Sequence, residues 1–193
     1  MAKIVFVLLF TAALSSCQER KVNKDALAFA KRANAIYIKN SNNPDSLALA
    51  LYLIDSCLKI QSDFLNFYFT KIEILRQLDR HDEMVGVYSK MLELSKNNSI
   101  VLMSKGAAFE HLQRLDSANY YYKLALDNLD RMTWQKRSFK EYQRIILYAL
   151  LKDSINFRKG TQEFKKTFSG DNESKFMYQA LVEFDRDEYV AGL

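Results

Sequence analysis

Shifted by 34 residues, the stretch Leu65–Asn98 falls onto Ser99–Met132 with like on like. Leu75 lands on Phe109, Tyr88 on Tyr122, Met91 on Ala125 and Leu92 on Leu126, while Met84 meets Ala118 and Ile72 meets Gly106. Apolar residues recur inside each copy at three- and four-residue steps, which puts them on one face of a helix. A self-similar unit of this length is one supersecondary element whose apolar face is buried only by stacking on a neighbour.

Composition agrees with a chain made of helices. The 193 residues include only 5 glycines and 1 proline, the two residues that cost most inside a helix, and 49% are hydrophobic, enough for a core. The formal charge of +5 is spread along the chain and argues little for a nucleic-acid partner. Two cysteines, Cys17 and Cys57, cannot make a disulfide framework.

The period and its occupants resemble the tetratricopeptide repeat, a helix–turn–helix unit that stacks into a solenoid. The likeness is closest in 99–132, where Gly106 and Ala118 are the small residues that let two helices approach, with Phe109 and Tyr122 beside them. Leu102 stands where the family has tryptophan, and Lys105 where it has leucine. The resemblance implies an all-α fold, a right-handed α-solenoid of three to four repeats over 23–193, with units at 23–64, 65–98, 99–132 and 133–168 and one terminal helix over 173–190. Helices are predicted over 23–39, 47–60, 65–78, 82–95, 99–112, 117–129, 135–151 and 154–168. Asp45 or Ser46, Asp116 or Ser117, and Asp153 or Ser154 are the expected caps. In the terminal helix Phe176, Ala180, Leu181 and Phe184 are expected inward, and the acidic run Glu183–Glu188 outward as a solvating end. Cys57 falls at a small-residue position and is expected to be a buried packing thiol.

The beginning of the chain carries a second pattern. Lys3 precedes the apolar run Ile4–Leu14, 11 residues long, about half of what crosses a bilayer. Leu14–Ser15–Ser16–Cys17 follows. The order of positive charge, apolar core and small residues suits a signal peptide, and the final tetrad resembles the lipobox of bacterial lipoproteins. That resemblance implies removal of 1–16, acylation of Cys17 and a polar tether over 17–22. The location implied is the bacterial cell envelope, at the outer membrane facing the periplasm. A cleavable signal peptide with a free Cys17 is the alternative.

In the repeat family the first helix of each unit lines a concave groove. Carried over by position, the implied partner-binding residues are Tyr37, Phe69, Glu73, Arg76, Met103, Glu110 and His111. Their mixture of aromatic, apolar and charged types suits a bound peptide or helix. The bland reading of Glu73, Arg76 and Glu110 is a solvated helix face. The lysine–asparagine clamp with which some members hold a carboxylate is missing, because Phe69, Glu73 and Ile100 stand at those positions. His81 and His111 lie outside metal-ligand spacing, and the chain has no Gly-rich phosphate loop, Gly-x-Ser-x-Gly or Cys-x-x-Cys. No catalytic residue, metal or cofactor is therefore expected. The basic set Arg131, Lys136, Arg137, Lys140 and Arg144 has the form of a nucleic-acid stripe. In an exported protein it reads instead as a solvated face, or one that meets lipid phosphates or an acidic partner. The function expected is that of a membrane-anchored binding or scaffold module. The alternatives are a structural subunit of an envelope assembly and, behind it, an enzyme with an unrecognised site.

Overall fold

A computed structural model describes residues 21–168 and 170–193. The expected signal peptide and the expected acylation site at Cys17 lie outside the described residues, as does most of the expected tether. Ten α-helices and one short 3-10 turn make up the described structure, with no strand among the described residues. They fall into two compact units that meet at residues 96 and 97.

The first unit, residues 21–96, holds α1 (Lys24–Lys39), α2 (Pro44–Ile60), α3 (Leu65–Gln77) and α4 (His81–Leu94). Each packs on the next, and α1 also reaches α3, so first helix meets first helix as well as its own partner. Alanine allows the close approach: Ala26, Ala30 and Ala33 are the buried residues of α1, while Leu47, Ala50, Ile54 and Cys57 are buried on α2. Burial pushes the Cys57 thiol up to about 11, so it stays protonated and packs as an apolar group. α2 begins three residues ahead of the expected 47, because Asn43 caps it through Ser46 N–H at 2.9 Å and Pro44 sits where its missing N–H costs nothing.

The second unit, residues 97–193, holds α5 (Ser99–His111), α6 (Leu115–Asn128), the turn Leu129–Arg131, α7 (Arg137–Leu150), α8 (Ser154–Thr167), α9 (Asn172–Val182) and α10 (Arg186–Gly192). α5 packs on α6 and α7 on α8, with α9 against α7 and α8. A Cβ added to Gly106 of α5 would stand 2.6 Å from Cε1 of Tyr122 on α6 and 3.2 Å from the Ala118 carbonyl oxygen. The two small positions and the tyrosine therefore form one contact, as the repeat pattern implies. Lys105 is buried and lays its ammonium 4.5 Å from the centre of the Tyr121 ring, which supplies the charge with a partner.

Three of the helix pairs share one turn. After α3, the N–H of Arg80 bonds the Leu75 carbonyl at 2.9 Å and that of Asp79 bonds Arg76 at 3.0 Å, with Asp79 at φ 56°. After α5, Arg114 bonds Phe109 at 2.9 Å and Gln113 bonds Glu110 at 2.8 Å, with Gln113 at φ 57°. After α7, Asp153 bonds Tyr148 at 2.8 Å and Lys152 bonds Ala149 at 2.9 Å, with Lys152 at φ 60°. These are Schellman turns, in which a left-handed residue closes the helix and satisfies its last carbonyls. The first two stand 34 residues apart, which is the period of the sequence.

Three expectations are corrected. The segment 173–190 is two helices rather than one, with a break at Glu183–Asp185. Asp185 caps α10 by accepting from Glu188 N–H at 2.8 Å, and this local bond competes with continuing α9. Phe176 is exposed rather than inward, since α9 buries Ser174, Met177 and Leu181 instead. The expected cap of α6 also moves: its N-cap is Arg114, and neither Asp116 nor Ser117 fills that place.

Candidate partner-binding surface

In the first unit, α3 presents Phe69, Glu73 and Arg76 at steps of four and three, so they share a face. Arg76 Nη1 donates to Glu73 Oε2 at 3.0 Å. Tyr37, in the last turn of α1, brings its hydroxyl close to the Glu73 carboxylate and to Gln77. The packing of α1 on α3 thus joins Tyr37, Glu73 and Arg76 into one polar cluster, with half-buried Phe69 a turn away. Burial raises the Glu73 carboxyl above its ordinary range, although the Arg76 guanidinium and the Tyr37 hydroxyl pull it down. Burial likewise raises the Tyr37 phenol, helped by the Glu73 charge. The cluster is a half-dry set of donors and acceptors beside an aromatic ring, able to bond the main chain or polar side chains of a docked peptide.

In the second unit Met103, Glu110 and His111 lie along α5. Met103 is buried. Glu110 and His111, at the end of the helix, already have partners from farther along the chain. Arg186 Nη2 lies 2.7 Å from Glu110 Oε1, and the Tyr122 hydroxyl donates to Glu110 Oε2 at 2.9 Å. His111 Nε2 donates to the Val190 carbonyl at 2.9 Å. Sequence reasoning places Arg186 on a solvated outer face and so misses this contact, since its partner is 76 residues away. The Asp185…Glu188 spacing, an acidic cap with a glutamate three residues on, is the signal that marks a new helix there.

The basic set around α7 is largely compensated. Lys140 Nζ and Arg144 Nη2 both reach Asp130 Oδ1 at 2.9 Å, Arg144 Nε donates to Glu141 at 3.1 Å, and Lys136 pairs with Glu173. The Lys140 hydrogen bond, with the Arg144 charge, holds the Asp130 carboxyl below its usual range. A cavity of about 210 Å³ opens between α7 and α8, lined by Arg137, Arg144, Tyr148, Lys159, Glu163 and Phe164 among others. His81 opens α4, its Nε2 2.9 Å from the Asp79 carboxylate. Among the described residues no three His, Cys, Asp or Glu side chains are grouped to hold a metal ion, and no helix is long and apolar enough to cross a membrane.

No protein-family model matches the chain. No curated protein matches it either.

Proposed function

We propose that this protein is a helical-repeat binding module of the tetratricopeptide type, a right-handed solenoid held at a bacterial envelope membrane by an acyl group on Cys17. Its partner is a protein segment that docks on the first-helix face of the repeats. The observation that carries the reading is the recurrence of one helix–turn–helix unit, with the same Schellman turn at Asp79 and again 34 residues later at Gln113. The Tyr37–Glu73–Arg76 cluster with Phe69 supports the choice of face. It lies at a contact between first helices, where the repeat family binds, and it combines a ring with both signs of charge. Outer-membrane attachment facing the periplasm follows from the lipobox resemblance alone.

Fractionation with acyl labelling tests the anchor. Wild type partitions with membranes and takes label, and Cys17→Ala does neither. Two soluble, unlabelled forms would remove the anchor from the reading. For the binding face, affinity purification of Phe69→Ala and Arg76→Ala chains should lose proteins that the wild type retains. Retention of the same set by both variants contradicts the docking face.

A further inference from the structure

The seat on α5 is occupied by the chain itself. α10 is seven residues long, too short to be stable without support. It presents Arg186, Tyr189, Val190 and Leu193 at i, i+3, i+4 and i+7, the spacing of anchors on one face of a helix. Each has a place. Arg186 binds Glu110 and also donates from Nη2 to the Leu150 carbonyl at 3.2 Å. Tyr189 packs at a tilt against Phe184 of the preceding link, 5.1 Å between centroids and 48° between planes, a contact within the segment itself. Val190 and Leu193 are buried, and the Val190 carbonyl accepts a hydrogen bond from His111 Nε2. The seat is thus a carboxylate steered by Tyr122, an imidazole donor and an apolar floor. The arrangement is that of a peptide helix in a groove, except that the peptide is covalently attached through the three-residue link Glu183–Asp185.

We infer that α10 is a resident occupant of a peptide-binding seat, displaced by a partner segment that carries arginine at one position and aromatic or aliphatic residues three, four and seven positions later. The inference rests on the binding-module reading and adds the partner's chemistry. Charge selects it: with α10 seated the Glu110 side chain is 16% exposed, so an occupant that lacked a cation would cover the carboxylate and leave its charge unpaired. Arginine fits better than lysine because the guanidinium reaches the carboxylate and the Leu150 carbonyl together.

The test uses the full chain and a fluorescein-labelled synthetic peptide of residues 183–193 as probe. Arg186→Ala in the chain loosens α10, and its Kd for the peptide should be at least tenfold below that of the wild type. An Arg186→Ala peptide should lose at least tenfold against that loosened chain, and adding Glu110→Gln to the chain should cost a similar factor. An Arg186→Ala chain with unchanged helix content that binds the peptide no better than wild type overturns the inference. So does unfolding of that variant, since α10 is then part of the core. Hydrogen exchange on the unmodified chain gives a second reading. Amides of 186–193 should exchange at least tenfold faster than those of Ile146 and Leu147, and equal protection overturns displacement. Concentration-dependent dimers that exchange α10 between copies also overturn it, because the occupant is then the chain's own helix. Failure of these peptide tests while a partner is still captured through Phe69 defeats this inference alone. Absence of any captured partner defeats the binding-module reading beneath it.

Discussion

Gly106→Ala adds a methyl group at the tightest contact between α5 and α6. The new carbon would lie 2.6 and 2.7 Å from two carbons of the Tyr122 ring, where ordinary contact is about 3.5–4 Å, so the ring must retreat by roughly 1 Å. The ring has little room: Tyr122 is fully buried and its hydroxyl is fixed on Glu110, while the added carbon itself stands 3.2 Å from the Ala118 carbonyl oxygen. Overpacking of this kind costs about 1–3 kcal/mol. Misplacing the Tyr122–Glu110 bond costs roughly 1.5–3 kcal/mol if it breaks completely. Alanine returns about 1 kcal/mol of helix propensity. The expected balance is a loss of about 2–3 kcal/mol, or a fall of roughly 8–20 °C in the Tm of a unit near 100 residues. Circular dichroism melts and urea titration at matched concentration measure it. Two other helical glycines calibrate the result. Gly86 of α4 has nothing within 4 Å of an added Cβ, so Gly86→Ala should stabilise by up to about 1 kcal/mol. Gly160 of α8 meets the Ile145 side chain, 2.8 Å from Cγ1, with no backbone atom among its three nearest neighbours, so Gly160→Ala should fall between them. Tyr122→Leu should relieve much of the Gly106→Ala penalty in the double variant. If Gly106→Ala melts as high as Gly86→Ala, the account of how these helices approach is wrong.

Three further outcomes are expected. Asp79→Gly, Gln113→Gly and Lys152→Gly remove a left-handed side chain and keep the turn, so each should gain roughly 0.5–1 kcal/mol in thermal melts, the steric relief less the added chain entropy. The Asp153 and Asp171 carboxyls are held below their ordinary range by the backbone N–H groups of Asn156 and Ser174. Their stabilisation is present above about pH 4 and lost as pH falls through the folded pKa, so the Tm deficits of Asp153→Ala and Asp171→Ala should shrink on acidification. Glu73 is shifted the other way, its folded pKa raised by burial. Its contribution is largest below the unfolded pKa near about 4.3 and falls as pH rises through the folded value, so wild type should gain on Glu73→Gln as pH is lowered from neutral in paired melts.

Much of the fold was legible because helix faces repeat locally. The run from Leu65 to Leu129 shows its pairs through steps of three and four, and the 34-residue shift aligns turns that the structure finds at Asp79 and Gln113. Helix starts were less legible. Asn43, Asp45 and Ser46 are all capable caps, and only the position of Pro44 settles which of them serves. The Tyr37–Glu73–Arg76 cluster could be anticipated residue by residue, but its joining needed α1 to pack on α3. The seat of α10 could not be anticipated. Leu181, Phe184 and Tyr189 continue a helical rhythm through the break, and an arginine within an acidic run looks solvated until Glu110 is placed opposite it. Long-range pairing of this kind leaves no periodic trace in the chain.

The proposed binding face is tested most directly by site-specific photo-crosslinking in the native host cell. A photoreactive residue placed at Tyr37 or Phe69 should capture one and the same protein, whereas placement at Leu49 or Tyr52, both exposed on α2, should capture none above background. Equal capture of that protein from all four positions, or capture only from α2, would contradict a partner seated on the first-helix face.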